Sequence, residues 1–282
     1  MSIRSFCHFL LRMSASATVP VWSRRLVVSA VLVCASMSAY AGEVLDRIRD
    51  EHSLKVCIWP LRKGLLLRDW RTQSLSGVDF ELSQELAKSL GVRVEYIDST
   101  YSSMQDDLEQ SRCDIAMFGL TIRPVSPDWP IAYSRPYLYS SVYAVVMKGN
   151  RLISTWKDVD QKGVMIGVLD RSIAQSWIRE HFKLATTVLV SSPIAREKDL
   201  QAGRIDLFLT DQIFGLRVVE VFDWVSVLPP RPDGPKLPFG YAVKANDDQW
   251  LQWVNQFIDT VRRDGRLAAA AKRHGLTSML EE

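Results

Sequence analysis

Residues 54–59 read Leu-Lys-Val-Cys-Ile-Trp, and residues 77–91 read Gly-Val-Asp-Phe-Glu-Leu-Ser-Gln-Glu-Leu-Ala-Lys-Ser-Leu-Gly. The first is a short apolar run, which predicts a buried strand. In the second, Val78, Leu82, Leu86 and Leu90 recur every fourth residue, the spacing that lays one apolar stripe along a helix. Gly91 ends that helix, because glycine adopts the left-handed turn that closes one. Residues 92–97 predict the next strand, Met104 and Leu108 a short helix, and Asp114-Ile115-Ala116-Met117-Phe118 a third strand. The order is β-α-β-α-β.

Working outward, the second half repeats that order. Residues 164–168 read as a strand, Ser172 to His181 as a helix, Thr187 to Val190 as a strand, Ile194 to Ala202 as a helix and Ile205 to Leu209 as a strand. Strands alternating with helices fold as a mostly parallel sheet flanked by helices. Between the halves, Tyr139 to Met147 is rich in Val and Tyr and reads as extended. A second extended stretch, Pro238 to Val243, follows the proline-rich residues 229–235, and two helices close the chain, Asp248 to Arg263 and Arg266 to His274. In the first of these Trp250, Val254, Phe257 and Val261 form a core stripe. Two crossings predict two α/β lobes on a two-strand hinge: residues 43–141 plus 235–282, and residues 142–234. Ligands of open α/β sheets sit beyond the carboxyl ends of the strands. Residues 59–70, 118–126, 170–173 and 210–212 should therefore face a cleft between the lobes.

The first forty residues differ in kind. Arg24 and Arg25 precede an apolar run from Leu26 to Ala35, and Ala39 and Ala41 form an A-x-A site, which predicts a signal peptide, residues 1–41, cut after Ala41. Val33 is too bulky for a lipoprotein site at Cys34. Ser23-Arg24-Arg25 fits either general or twin-arginine export. The apolar run is shorter than the roughly 20 residues needed to span a bilayer, and no later stretch approaches that length. A mature chain without a membrane span, located in the periplasm, is expected.

The formal charge of the 282 residues is +3. The 35 basic residues, less the leader's four arginines and set against 32 acids, give a net charge of −1. Nucleic acid, which needs a concentrated basic face, is excluded as a partner. Cys7 and Cys34 leave with the leader. An even pair in an oxidising compartment predicts a Cys57–Cys113 disulfide, with two buried free thiols as the alternative, because two thiolates cannot complete a zinc shell.

Four motifs carry a resemblance: Leu54 to Ile58, Ser76 to Leu82, Cys113-Asp114-Ile115-Ala116-Met117-Phe118-Gly119-Leu120-Thr121, and Tyr133-Ser134-Arg135-Pro136-Tyr137. They are similar to the successive signatures of the extracellular solute-binding proteins of family 3, which include the amino-acid binding proteins of ABC importers. The likeness continues through Gly203 to Asp206, Thr210-Asp211 and Arg263 to Gly265. The two cysteines and the run Gly203 to Asp211 resemble the branch associated with PQQ-dependent (quinoprotein) alcohol dehydrogenases. The resemblance implies a type II periplasmic binding protein-like fold without cofactor or metal, a monomer that captures a small polar ligand, amino acid-like or an organic anion. The implied partner is an ABC permease or, alternatively, a periplasmic quinoprotein dehydrogenase.

The resemblance also implies a ligand set. Thr121 matches a hydroxyl that holds the ligand carboxylate, with Phe118 and Gly119 on the same wall. Ser172 matches a hydroxyl at a helix N-terminus, where free N–H groups attract anions. Asp211 matches a carboxylate that pairs with a ligand ammonium. The departures are at Ser126, where the family has a carboxylate-gripping arginine, with Arg123 as its substitute or as a solvated loop arginine; at Arg171, in place of a glycine; and at Arg62 and Lys63, in place of an aromatic. Asp79 reads as a residue complementing the helix dipole, Asp211 also as a helix cap, and Trp59 and Trp70 as packing residues. None of His8, His52, His181 and His274 falls at a predicted cleft position, so no triad or histidine metal site is expected. The chain is read as no enzyme, the alternative being a cyclohexadienyl dehydratase-like enzyme on the same fold.

Overall fold

The computed structural model describes residues 42–123, 129–169, 172–190 and 193–280; the expected leader, Ser126 and Arg171 lie outside them. Helix α1 (Glu43–Glu51) leads into β1 (Ser53–Ile58), the expected apolar run. Three short strands follow, β2 (Leu61–Arg62), β3 (Leu66–Arg68) and β4 (Leu75–Ser76), paired as a small antiparallel sheet. Helix α2 (Val78–Leu90) ends at Gly91, whose φ of 71° lies in the left-handed region. Leu82 and Leu86 of its stripe are buried against the sheet. Strand β5 (Arg93–Asp98), helix α3 (Met104–Glu109) and strand β6 (Ile115–Thr121) complete the unit, with β5 and β6 parallel to β1 on either side.

The second unit has the same build. Strands β9 (Met165–Leu169), β10 (Thr186–Val190) and β11 (Leu207–Asp211) are parallel in the order β10-β9-β11. Helices α4 (Ile173–His181) and α5 (Pro193–Gln201) make the crossovers, and α6 (Gln212–Val221) follows β11.

Antiparallel strands join these parallel triplets. Strand β7 (Ile131–Tyr133) is followed by β8 (Leu138–Met147), whose residues 138–141 pair with β13 (Lys236–Lys244) and whose residues 142–146 pair with β11. Strand β12 (Val225–Leu228) adds to β8, and β13 continues onto β6 and β7. The hydrogen-bonded path therefore runs from β10 to β5 through both hinge strands. Each lobe is mixed, a parallel core of three strands with antiparallel additions, rather than mostly parallel as expected. A strand that returns beside its neighbour without a crossover helix can only pair antiparallel.

Helix α7 (Asp248–Arg263) carries the expected stripe, with Trp250, Val254, Phe257 and Val261 all buried. The indole N–H of Trp250 donates to the Asp114 carbonyl at 2.8 Å, which satisfies its polar handle. Helix α8 (Arg266–Arg273) packs beside it. No helix among the described residues is long and apolar enough to cross a membrane.

Cys57 in β1 lies opposite Ala116 of β6, and Cys113 just precedes β6. The two cysteines form a disulfide with Cα atoms 5.5 Å apart. It closes a loop of 56 residues, which limits the unfolded chain by about 4 kcal/mol in the loop-entropy account. Reduction under native buffer should therefore lower the urea midpoint by a clearly measurable amount. An unchanged midpoint in reductant would mean that the bridge adds nothing to stability.

Candidate functional site

Strands β6 and β11 both end at the gap between the lobes, and their last residues, Thr121 and Asp211, arrive there because sheet pairing delivers them. A cavity of about 90 Å³ lies between, lined by Thr121 and Arg123 from one side and by Ser172, Arg196, Thr210 and Asp211 from the other, with Leu169 and Leu209 among its apolar walls. Pockets for drug-sized ligands are usually roughly 300–1,000 Å³. The lobes are thus closed on a small space.

The closure is held by contacts across the gap. Arg62, from β2, donates from Nη2 to Asp211 Oδ1 at 3.1 Å. Its neighbours also reach over: the Leu61 carbonyl accepts from Arg217 at 2.7 Å, and Lys63 pairs with Glu220 at 3.2 Å on the exposed rim. Near the hinge, the backbone N–H of Gln212 donates to Ser140 Oγ at 2.8 Å, and its side chain donates to Ser278 at 3.0 Å.

Arg62 is only 8% exposed. Its Nη1 donates to the Tyr101 hydroxyl at 3.0 Å, which in turn donates to the Gly119 carbonyl at 3.1 Å. The guanidinium lies 5.6 Å from the Phe239 ring centre. Burial opposes the charge and is the largest single influence, but Asp211, Tyr101 and Tyr137 together outweigh it and raise the Arg62 pKa. Gly119, at φ 69°, makes the room: a Cβ there would sit 2.3 Å from Leu65 and 3.3 Å from Arg62 Nε.

Asp211 has a second duty, since Oδ1 also accepts from the Phe214 N–H at 3.0 Å and so caps α6. Ser172 caps α4 in the same manner, accepting from Gln175 N–H at 3.2 Å. A hydroxyl whose oxygen is occupied in this way keeps its own proton for a ligand acceptor. Arg196 is 4% exposed, and its Nη1 donates to the Leu209 carbonyl at 3.2 Å. Its guanidinium lies over Phe208 at 4.3 Å and Phe214 at 4.9 Å. Among the described residues Nε has no partner and no carboxylate is within ion-pair distance of it. Burial therefore pulls its pKa down to about 10, although nearby Asp211 opposes the fall.

The structure brings four of the six expected ligand residues, Thr121, Arg123, Ser172 and Asp211, onto this cavity. Phe118 and Gly119 lie behind it. Phe118 is fully buried and packs edge-on against Tyr101, and Gly119 faces Arg62 and Leu65. Asp211, expected to meet a ligand ammonium, meets Arg62. Sequence reasoning missed Arg196, although Leu200 four residues on is buried, and helical spacing puts both on the inward face. Trp59 packs on Tyr101 as expected, whereas Trp70 is 76% exposed on the loop after β3 and is not a packing residue.

Asp79 holds the helix N-terminal position expected of it, with an environment the sequence did not show. It sits in the first turn of α2, but it is fully buried beneath Arg62 rather than simply facing the helix end. Its Oδ1 accepts from the Tyr241 hydroxyl at 3.2 Å, while among the described residues Oδ2 and the Tyr137 hydroxyl, though near enough to act on one another electrostatically, make no well-formed hydrogen bond. Burial pushes its pKa up to about 7, against the pull of Tyr137, Tyr241, Arg62 and the Gly119 N–H.

The profile of the bacterial extracellular solute-binding proteins, family 3, matches residues 68–277. The chain is 27% identical over 200 residues to the L-cystine-binding protein TcyJ of Escherichia coli (strain K12), covering 71% of this chain and 74% of that protein. It is 24% identical to the ABC transporter arginine-binding protein 1 of the same organism, over 67% and 77% of the two chains. Among solved structures, the ancestral amino acid-binding protein AncCDT-1, a precursor of cyclohexadienyl dehydratase, aligns with a TM-score of 0.63 at 24% identity, covering 82% of this chain and 99% of that one.

The folded state holds the Asp79 proton more tightly than the unfolded chain does, so the stability this one group contributes is fully present below the ordinary carboxylate range and is lost as pH rises through about 7. Asp79→Asn should flatten that fall and, at pH 8, exceed the wild type in urea midpoint by an amount worth on the order of a few kcal/mol. An Asn variant that keeps the wild-type pH slope would clear Asp79 of the effect.

Proposed function

Because this chain belongs to the bacterial extracellular solute-binding proteins of family 3, we propose that its interlobe cleft captures a small polar ligand carrying a carboxylate and presents it to an ABC permease. The observation that carries this reading is the charge of the cavity. Asp211 is matched by Arg62, which leaves Arg123 and Arg196 facing the same space with no ion-pair partner among the described residues. A buried arginine such as Arg196 without counter-charge favours an anion, half-buried Arg123 adds to the positive field, and a guanidinium can take a carboxylate in two-pronged fashion. Thr121 and Ser172 add hydroxyl donors from opposite walls. A ligand of this kind stabilises the closed lobes by binding them better than the open ones.

The lobes are taken as residues 43–141 with 235–282 and residues 142–234, a division supported by the change of β8 partner after Ser141. Export to the periplasm through residues 1–41, and action as a monomer, complete the reading. A relative named as an arginine-binding protein of an ABC transporter supports the permease as partner over a quinoprotein dehydrogenase. We assign the chain no catalysis. Among the described residues the only carboxylate lining the cavity is Asp211, and it is engaged by Arg62 and by the first turn of α6.

A thermal-shift screen of the purified protein with amino acids, dicarboxylates and polyamines tests this, since a cleft ligand stabilises the folded state by RT ln(1 + [L]/Kd) and so raises the midpoint. Carboxylate-bearing compounds should raise it and polyamines should not, and Arg196→Met should remove the shift. Stabilisation by polyamines alone would contradict the reading, as would turnover of prephenate.

A further inference from the structure

We propose that Arg62 is a built-in occupant of the Asp211 carboxylate: a specificity-determining residue that takes the place of a ligand's cationic group and closes that end of the cleft to ammonium and guanidinium compounds. The inference rests on the solute-binding reading of the cleft and adds to it which charge the ligand cannot carry.

The argument begins with where Arg62 is mounted. It belongs to a two-residue strand of one lobe, yet its Nη2 meets an acid that ends a strand of the other lobe. A surface arginine reaching across a gap would be mobile and worth little. This one is fixed on several sides. Tyr101 takes Nη1, the Phe239 ring lies against the guanidinium, and Gly119 gives it space where any side chain would collide. The flanking residues Leu61 and Lys63 are themselves tied to α6 by Arg217 and Glu220, so the segment is set against the second lobe at three consecutive positions.

Asp211 is equally constrained. It caps α6 and lines the cavity, so the carboxylate cannot turn away to meet a ligand without giving up the Phe214 N–H. A ligand ammonium arriving here would have to displace Arg62 from a buried pairing and leave that guanidinium charged and unmatched. Arg62 is attached to the same chain and so competes at high effective concentration, as a tethered group does against a free one. Free cations are therefore excluded on two counts, lost pairing and competition. An anion binding at Arg123 and Arg196 meets neither obstacle.

The test is isothermal titration of methylguanidinium, a probe small enough for the cavity, into the full exported chain and its Arg62→Ala variant. The variant should bind the probe on the order of 100-fold more tightly than the wild type, because removal of a buried partner leaves Asp211 unpaired. Arg62→Ala combined with Asp211→Asn should return binding to the wild-type level. Should Arg62→Ala fail to give a native circular dichroism spectrum, Arg62→Gln is titrated instead, with the same gain expected. Equal affinities for the probe in a folded Arg62 variant and the wild type would overturn the proposal, and so would a gain that survives Asp211→Asn. The solute-binding reading is judged separately, by titrating the wild type with dicarboxylates: it can fail there while methylguanidinium still distinguishes the Arg62 variant.

Discussion

A guanidinium from one lobe and a carboxylate from the other meet 3.1 Å apart in the gap between two sheets. Each group offsets the cost of burying the other, because removing a single ion from water costs more than any one hydrogen bond returns. Each is also bound to its own lobe, Arg62 through Tyr101 and Asp211 through the first turn of α6. The pair therefore does not join two loose side chains; it joins two frameworks. The small volume of the cavity and its positive balance both follow from this one contact.

The hinge makes such a contact reversible in principle. Strand β8 belongs to both lobes, pairing with β13 up to Ser141 and with β11 from Val142 onward, while β13 carries the returning chain back to β6 and β7 of the first lobe. Rotation about these few residues would part the carboxyl ends of β6 and β11 while leaving both parallel cores intact. Ser140 sits at the crossing and accepts from the Gln212 N–H, one residue beyond Asp211. The hinge and the cleft pair are thus linked through a single turn of backbone.

Much of this was legible in the sequence, for reasons that can be named. The α2 stripe, Gly91 and the Trp250 stripe are repeated patterns over three or more turns, and repetition is what periodicity detects. The disulfide followed from compartment and strand adjacency. The family signatures were legible too, and they marked Thr121, Ser172 and Asp211, which the fold delivers to one cavity. The small sheet β2-β3-β4 was not legible, because strands of two or three residues have no period. Arg196 sits among charged neighbours, Arg196-Glu197-Lys198, and composition alone makes that a solvated face. Arg62 was visible as a basic residue where the family has an aromatic, but its partner lies 149 positions away and only the fold joins them. Asp79 was read from its helix position, which is right, and it is buried beside Tyr137, just before β8, and Tyr241, on β13, both much later in the chain.

Distance measurement between spin labels on the two lobes, at Glu109 and Glu180, both exposed, addresses the closure directly in the ligand-free protein. The account predicts one narrow, short distance population in the wild type and a longer, broader one in Asp211→Asn, where Arg62 loses its counter-charge. The same distribution in both proteins would contradict it, and the lobes would then be held by something other than the Arg62–Asp211 pair.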